Sequence, residues 1–538
     1  KRAFINEAVC EGCGDCGVVS NCVSVKPLET KFGRKRMIDQ SSCNKDFSCV
    51  KGFCPSFVTV EGGGLKKPEK KEVTSSEIDI MNPAANLPEP EVPAIDGTYN
   101  ILVTGIGGTG VITVGALLGM AAHVEGKGAS ILDQTGLAQK NGAVMSHVRI
   151  AKSAAELAGT RIPSRQTDVV VGCDLVVAAS KEALQTYDLG RTKAIINDYV
   201  VPVAAFTLTP DLAMDRDSLT GLLSESLGRE QAEFIDSTTL ATALMGDSIA
   251  ANLFLLGFAF QRGAIPLSLK SIETAIELNG IAVDANKRSF AWGRKAAASQ
   301  SEVEKIALPD APAEVVEIET LDKIIERRAD FLTKYQNGRY AKRYLTLVET
   351  IGKAEAAAQP GSTALTEAAA RYYFKLMAYK DEYEVARLYT DGSFRKKLNN
   401  QFEGDFKLKF HLAPPVFARK HPETGHLIKQ EFGPWMMTAF GLLAKFKALR
   451  GTPFDPFGRT EERKAERALI GEYEATMTDI AAKLTRENLP LAIEIASVPE
   501  HIRGFGHVKE RHLKTAKAER ISLLDRFEKG DVEPLAAE

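Results

Sequence analysis

The sequence predicts a multidomain α/β protein on three observations. Cysteines crowd the first 54 residues, apolar strand-like runs alternate with helical stretches from about residue 99 to 300, and apolar residues recur at three- and four-residue steps thereafter. With 538 residues, 44% hydrophobic and 26% charged, the chain has apolar material for roughly three or four domains and too much for a disordered protein. Lys and Arg number 68 against 70 Asp and Glu, a net charge of -2, so no global basic field draws it to nucleic acid or an anionic membrane. The longest uncharged apolar run, Ile249–Phe260, falls short of the ~20 residues that span a bilayer. No signal peptide opens the chain, so the expected location is cytoplasmic. Because it begins at Lys1, the chain is read as one part of a longer polypeptide.

Residues 1–60 are expected to form a small iron-sulfur domain. Seven of the eight cysteines stand at 10, 13, 16, 22, 43, 49 and 54, and such clustering without a secretion signal argues for metal over disulfides. Cys10-x2-Cys13-x2-Cys16 places three thiolates on one loop, as a 4Fe-4S cluster needs, and Cys54-Pro55 has the form of the remote fourth ligand. Zinc is the alternative, but zinc usually pairs CxxC with a second CxxC or with histidines, and no histidine precedes His123. Cys22, Cys43 and Cys49 remain. They suit a 3Fe-4S centre, a 4Fe-4S centre completed by a non-cysteine ligand, or structural roles. Lys26, Lys31, Arg34, Lys35, Arg36, Lys45 and Lys51 surround them, either as a docking face for an acidic electron carrier or as an ordinary solvated face.

Residues 61–98 have linker composition, from Gly62-Gly63-Gly64 through Lys66, Lys67, Lys70 and Lys71 to Pro83, Pro88, Pro90 and Pro93. Residues 99–300 then read as a mostly parallel sheet with helices on its faces. The strand signals are Asn100–Thr104, Ala129–Leu132, Val144–Ile150, Val169–Val171, Leu175–Ala178 and Ala194–Ile196. Gly105-Ile-Gly107-Gly108-Thr-Gly110 follows the first strand and opens a helix. Asp133 stands near where a ribose-binding acid would, which gives an NAD or FAD site as one alternative. Anion binding without a dinucleotide is the other, because Gly108 adds a glycine and Gln134-Thr135-Gly136 follows Asp133; tight helix packing alone is the third. Cys173 reads as a small buried hydrophobe. Residues 301–520 read as mostly helical, from Leu321, Ile324, Ile325, Phe331, Leu332 and Tyr335 and from Ile470, Tyr473, Met477, Ile480 and Leu484. Residues 521–538 read as a tail, and the sequence shows no internal repeat.

Several long stretches carry a resemblance. Cys10-Glu-Gly-Cys-Gly-Asp-Cys16, Ser42-Cys-Asn-Lys-Asp-Phe-Ser-Cys49-Val-Lys-Gly-Phe-Cys54-Pro55, Gly105-Ile-Gly-Gly-Thr-Gly110 and Ser146-His-Val-Arg149 resemble the C-terminal half of the long, fused indolepyruvate ferredoxin oxidoreductases. Lys375-Leu-Met-Ala-Tyr-Lys-Asp-Glu-Tyr383, Gly451-Thr-Pro-Phe-Asp-Pro-Phe457 and Arg503-Gly-Phe-Gly-His-Val-Lys509 extend the likeness across nearly the whole chain. The resemblance implies a ferredoxin-like iron-sulfur domain, a gamma-type Rossmann-like α/β domain and a helical domain of the long form. It implies CoA-dependent oxidative decarboxylation of an arylpyruvate, with ferredoxin as electron acceptor and a dimeric assembly. One cluster falls to Cys10, Cys13, Cys16 and Cys54, and a second to Cys22, Cys43 and Cys49. Gly105, Gly107, Gly108 and Gly110 form the phosphate-facing turn, and Ser146, His147 and Arg149 reach a coenzyme A anion or a subunit interface. Asn141-Gly142 replaces the family's paired glycines, and asparagine tolerates the left-handed turn. Gly246-Asp-Ser248 with Asn252 is a thiamine look-alike at the wrong spacing. Thiamine diphosphate and Mg2+ are therefore expected on thiamine-binding domains upstream or on a separate subunit.

Overall fold

Residues 1–66, 83–107, 110–135, 142–200, 209, 216–308, 319–414, 422 and 427–530 are described by the structure, a computed structural model. The chain divides into two compact units, one of Lys1–Lys66 with Val315–Glu538, the other of Lys67–Glu314. Among the described residues no helix is long and apolar enough to cross a membrane.

The first unit opens with β1 (Arg2–Ile5), the short helix α1 (Asp15–Ser20), the antiparallel hairpin β2 (Val25–Leu28) and β3 (Lys35–Ile38), and β4 (Phe57–Leu65). β1 pairs antiparallel with β4. Phe57, Val58, Thr59 and Val60 are at most 2% exposed, so β4 is covered on both faces.

The second unit is an α/β layer. β5 (Thr98–Ile106), β6 (Gly128–Thr135), β7 (Ala143–Ala151), β8 (Val169–Gly172), β9 (Lys193–Asn197) and β10 (Ala232–Ile235) form one sheet in the order β10-β9-β8-β5-β7-β6. β10, β9, β8 and β5 run parallel, whereas β7 runs antiparallel to β5 and β6. Val169, Val170 and Val171 are wholly buried, the unbroken apolar run that a strand covered on both faces requires. α2 (Val111–Val124) follows β5 and packs on β7 and β6. α3 (Ala251–Gln261), α4 (Leu269–Asn279) and α5 (Val283–Ala298) share its apolar core, while Leu223 and Leu227 of the helical segment Arg216–Leu227 join Leu102, Val170 and Ala194 in a second one. Every residue of α3 from Ala251 to Phe260 is buried, so the longest apolar run is a core helix. Leu175–Ala178, expected as a strand, is a helical turn because the Asp174 side chain accepts the Val177 amide and caps it.

The chain then returns to the first unit. α6 (Leu321–Tyr335), α7 (Gly338–Ala358) and α8 (Ala364–Met377) pack with α10 (Glu461–Lys483), α11 (Leu489–Ser497) and α12 (Gly506–Lys529) around one apolar core. Within it the rings of Tyr344, Tyr373 and Tyr473 stack at 5.9 and 5.7 Å. Of the expected periodic residues, Ile324, Leu332, Ile470, Tyr473, Met477 and Ile480 are buried there, Tyr335 is also buried, and Leu321, Ile325, Phe331 and Leu484 pack against the core half-buried. Between α8 and α10 lie α9 (Glu382–Thr390) and two strands, β11 (Phe402–Leu412) and β12 (Gln430–Phe432). β11 pairs antiparallel with β4 on its free edge, giving the sheet β1-β4-β11-β12. The cysteine-bearing segment thus belongs to the same compact unit as these helices. Gly62, Gly63 and Gly64, read as linker, are the end of β4, where the register shifts opposite Glu403 and Phe406. The tail read from residue 521 is helix up to Lys529, because Leu523 and Phe527 continue the buried stripe.

Candidate functional site

The first cysteine loop is shaped by close backbone approach. A Cβ on Gly12 would lie 2.3 Å from the Arg34 carbonyl oxygen, and one on Gly52 would lie 2.7 Å from Cys16 Cα. The Asp15 carboxylate accepts the Phe53 amide at 2.8 Å, tying the loop to the segment that ends in Cys54. Cys54 therefore faces Cys10, Cys13 and Cys16 electrostatically, as the spacing predicts. Cys22 and Cys43 face Cys49 in the same way and form a second group. Burial, and then neighbouring thiolates, push the Cys10, Cys13 and Cys16 thiols up, and the same causes push Cys49 up to about 12.

Cations offset that cost. Lys429 Nζ donates to the Val50 and Gly52 carbonyls at 2.9 and 2.5 Å and acts electrostatically on Cys54, Cys16 and Cys49, so it serves both groups. Lys380 Nζ donates to the Cys10 carbonyl at 3.1 Å and pairs with Glu11. Desolvation pulls Lys35 down to about 8 beside Lys380, Glu11 and Cys10. Arg36, 1% exposed, favours the Cys16 thiolate. Clustered soft thiolates ringed by cations suit iron-sulfur clusters, which spread their ligands over several irons. Among the described residues no three His, Cys, Asp or Glu side chains converge as ligands of one ion do.

Arg36 is thus no docking residue, and Lys26 is engaged with Asp39 at 2.5 Å. Lys31, Lys45 and Lys51 are exposed. Lys380 and Lys429 lie far along the chain from the cysteines, so cysteine spacing does not mark them as site residues. Lys380 belongs to the Lys375–Tyr383 stretch, which converges with the other two distant stretches. Tyr383 donates to Asp455 at 3.2 Å, Lys375 donates to the Pro499 and Glu500 carbonyls, and a Cβ on Gly504 would stand 3.4 Å from Cys13 Cβ. Lys429 left no signal in the sequence.

In the α/β unit the glycine turn joins β5 to α2. Gly105 packs where a Cβ would meet Val111 at 2.5 Å, the Gly107 amide donates to the Gly142 carbonyl at 2.9 Å, and Gly110 caps α2 with φ 95°. Gly108 and Asn141 lie outside the described residues. Among the described residues no side-chain hydrogen bond caps α2 at Gly110, so its first amides suit an anion. Asp133 stands on β6, separated from β5 by β7. That is two strand spacings, about 9.6 Å, whereas the dinucleotide fingerprint puts its acid on the adjacent parallel strand.

Ser146 and Arg149, expected to reach a coenzyme A anion or a subunit interface, lie buried within the α/β unit. Ser146 is wholly buried under α2, where a Cβ on Gly115 would come within 2.3 Å of its Oγ. Arg149, 6% exposed, donates to Asn100 Oδ1 at 3.0 Å and to the Ala158 and Gly159 carbonyls. His147 is a satisfied strand histidine: Nδ1 accepts the Ile162 amide at 3.4 Å, leaving Nε2 to donate to Gln134 at 3.1 Å. Desolvation, with Arg161 nearby, lowers it to about 4. Cys173 is buried, and burial pushes its thiol up to about 12. Beside it the Asp174 carboxyl, 2% exposed, is pushed up to about 7 by desolvation. Asp247 of the thiamine look-alike caps the turn Ser248–Ala250.

Residues 100–296 match the model of the family described as pyruvate ferredoxin/flavodoxin oxidoreductase, and residues 321–521 match a family of unknown function, DUF6537. Over 203 residues the chain is 28% identical to the indolepyruvate oxidoreductase subunit IorB of Thermococcus kodakarensis, covering 37% of this chain and 96% of that relative. The IorB subunit of Methanothermobacter thermautotrophicus is 26% identical over 202 residues, 37% of this chain and 98% of the relative. The solved pyruvate oxidoreductase subunit PORC of Thermotoga maritima shares 20% identity over 37% of this chain and 97% of its own, with a TM-score of 0.28. The likeness to these oxidoreductases thus covers a region of about 200 residues.

Proposed function

We propose that this chain is the electron-transfer and coenzyme A-binding part of a 2-oxoacid:ferredoxin oxidoreductase acting on an arylpyruvate such as indolepyruvate. The complete assembly converts arylpyruvate and coenzyme A to acyl-CoA and CO2, and two electrons pass one at a time to ferredoxin. The observation that supports this best is the gathering of the cysteines into two cation-ringed groups, in a chain whose α/β region matches the oxidoreductase family. Iron-sulfur clusters bound in these groups supply one-electron chemistry. Cys10, Cys13, Cys16 and Cys54 hold one and Cys22, Cys43 and Cys49 ligate another, while Lys35, Lys380 and Lys429 offset their negative charge. Gly105, Gly107 and Gly110 leave the α2 amides open to an anionic group of coenzyme A. The exposed Lys31, Lys45 and Lys51 offer an acidic ferredoxin a docking face. Thiamine diphosphate and Mg2+ belong to the thiamine-binding domains with which this chain assembles as a dimer.

The test is the metal content of the full chain purified without oxygen. It is brown, and Cys13→Ala removes at least one cluster and stops electron delivery to ferredoxin in the complete assembly. Coenzyme A at a hundredfold excess over Kd protects the assembly by about 2.7 kcal/mol, and NADH leaves the clusters oxidised. Stoichiometric zinc without iron overturns the proposal, and rapid reduction by NADH assigns the glycine turn to a dinucleotide.

A further inference from the structure

The two cysteine loops carry left-handed residues at the same two positions although Cys10-Glu-Gly-Cys-Gly-Asp-Cys16 and Cys43-Asn-Lys-Asp-Phe-Ser-Cys49 have only their end cysteines in common. In the first loop Gly12 and Gly14 flank Cys13 at φ 71° and 75°. In the second, Lys45 and Phe47 flank Asp46 at φ 63° and 60°. Gly14 then caps the helix that carries Cys16, and Phe47, equally left-handed, caps the 3-10 turn Ser48–Lys51 that carries Cys49. Beyond each loop one more cysteine crosses to the other: Cys54 faces the first loop's cysteines and Cys22 faces Cys49. The repeat that the amino-acid letters hide is therefore complete except at one position, where Asp46 stands in for Cys13.

Glycine takes a left-handed backbone without steric cost, whereas Lys45 and Phe47 hold it against the crowding of their own Cβ atoms. The second loop thus holds the ligand-presenting conformation against its own side chains, as functional loops do. The Asp46 carboxylate is oriented within the loop, Oδ1 accepting the Ser48 amide and hydroxyl at 3.0 and 2.8 Å and Oδ2 accepting Asn44 Nδ2 at 3.2 Å, and it acts electrostatically on Cys49. A carboxylate carries the same single negative charge as a thiolate and is a competent, harder iron donor.

We propose that Asp46 is the fourth ligand of the second cluster, completing with Cys22, Cys43 and Cys49 a 4Fe-4S site in place of a 3Fe-4S centre. This rests on the iron-sulfur reading of the cysteine groups. Asp46 is exposed, so the iron it holds is the outermost and the most readily lost.

The experiment compares the full chain with its Asp46→Ala, Asp46→Asn and Asp46→Cys variants, each reconstituted with iron and sulfide without oxygen, by iron analysis, electron paramagnetic resonance and Mössbauer spectroscopy. The full chain binds about eight irons, two four-iron clusters, and gives no signal of an oxidised three-iron cluster. Asp46→Ala and Asp46→Asn each lose about one iron and gain that signal, while Asp46→Cys keeps about eight with an altered spectrum of one cluster only. Unchanged iron and spectra in all three variants overturn the assignment, as does a three-iron signal at full occupancy in the unsubstituted chain. Either result leaves the iron-sulfur reading standing. Zinc in place of iron, or no metal, overturns that reading and the assignment together.

Discussion

Lys429 serves two cysteine groups with one ammonium. Its hydrogen bonds to the Val50 and Gly52 carbonyls fix it between Cys49 and Cys54 in sequence, and it acts on thiolates of both groups. A cluster's reduction potential rises with positive charge and hydrogen bonding around its sulfurs. Lys429→Met keeps the stem over the Phe57 ring, where Nζ now stands 5.1 Å from the centroid, and removes only the charge and two hydrogen bonds. The expected outcome is unchanged iron content with a potential lowered on the order of tens of millivolts, read by potentiometric titration of the full chain. An unmoved potential would mean that the ammonium only ties down the Val50–Gly52 turn. Arg36 differs from the surface lysines near it: with 1% exposure, its replacement tests folding rather than ferredoxin docking.

Among the elements, the junction of α2 with α4 shows how one carboxylate fixes a helix start. Glu125, one residue past α2, accepts the Ser268 amide at 2.7 Å and the Ser271 hydroxyl at 2.6 Å, and pairs with Lys127 at 2.7 Å. Desolvation works against its charge, but these partners outweigh it and hold Glu125 at about 2, below its ordinary 4.5. The folded-state pKa is depressed, so this stabilisation is full above the unfolded value and fades as pH falls from about 4.3 towards 2. Glu125→Gln is expected to cost the α/β unit on the order of 1 kcal/mol at pH 7, solvent screening reducing the full linkage value, and almost nothing near pH 2, measured by hydrogen exchange across α2 and α4. A penalty independent of pH would assign the effect to packing. The βα alternation and the late helices were legible because each rests on a local period that survives in the fold. β11 was legible in part, since Phe406, Leu408, Phe410 and Leu412 alternate, yet helical neighbours masked it. Its partner β4 lies so far back in the chain that no local pattern pairs them. Leu175–Ala178 misled because apolar residues there suit a strand or a buried turn alike, and the Asp174 cap decides. Spacing alone puts Cys10, Cys13 and Cys16 on one loop, whereas the burial of Ser146 and Arg149 leaves no mark in the letters.

At the scale of the molecule, the cysteine loops belong to the same compact unit as the helices that the chain reaches hundreds of residues later. β4 is closed by β11, Cys10 is held by Lys380, and Gly504 abuts Cys13 at the start of α12. Metal bound by the loops is therefore linked to the stability of residues 319–530 as well as of residues 1–66, because a ligand held only by the folded state stabilises everything that unfolds with it. The α/β unit has its own core and two-state behaviour is not expected across both units. Iron removal by a chelator without oxygen should then lower the unfolding temperature of the first unit and leave the transition of the second nearly where it was. Hydrogen exchange would show the loss of protection in β11, α9 and the start of α12 as well as in β1 and β4, with β5, β8 and α3 unchanged. Loss confined to residues 1–66 would show that the cysteine segment opens alone, and equal loss in both units would show that the metal stabilises a single cooperative body.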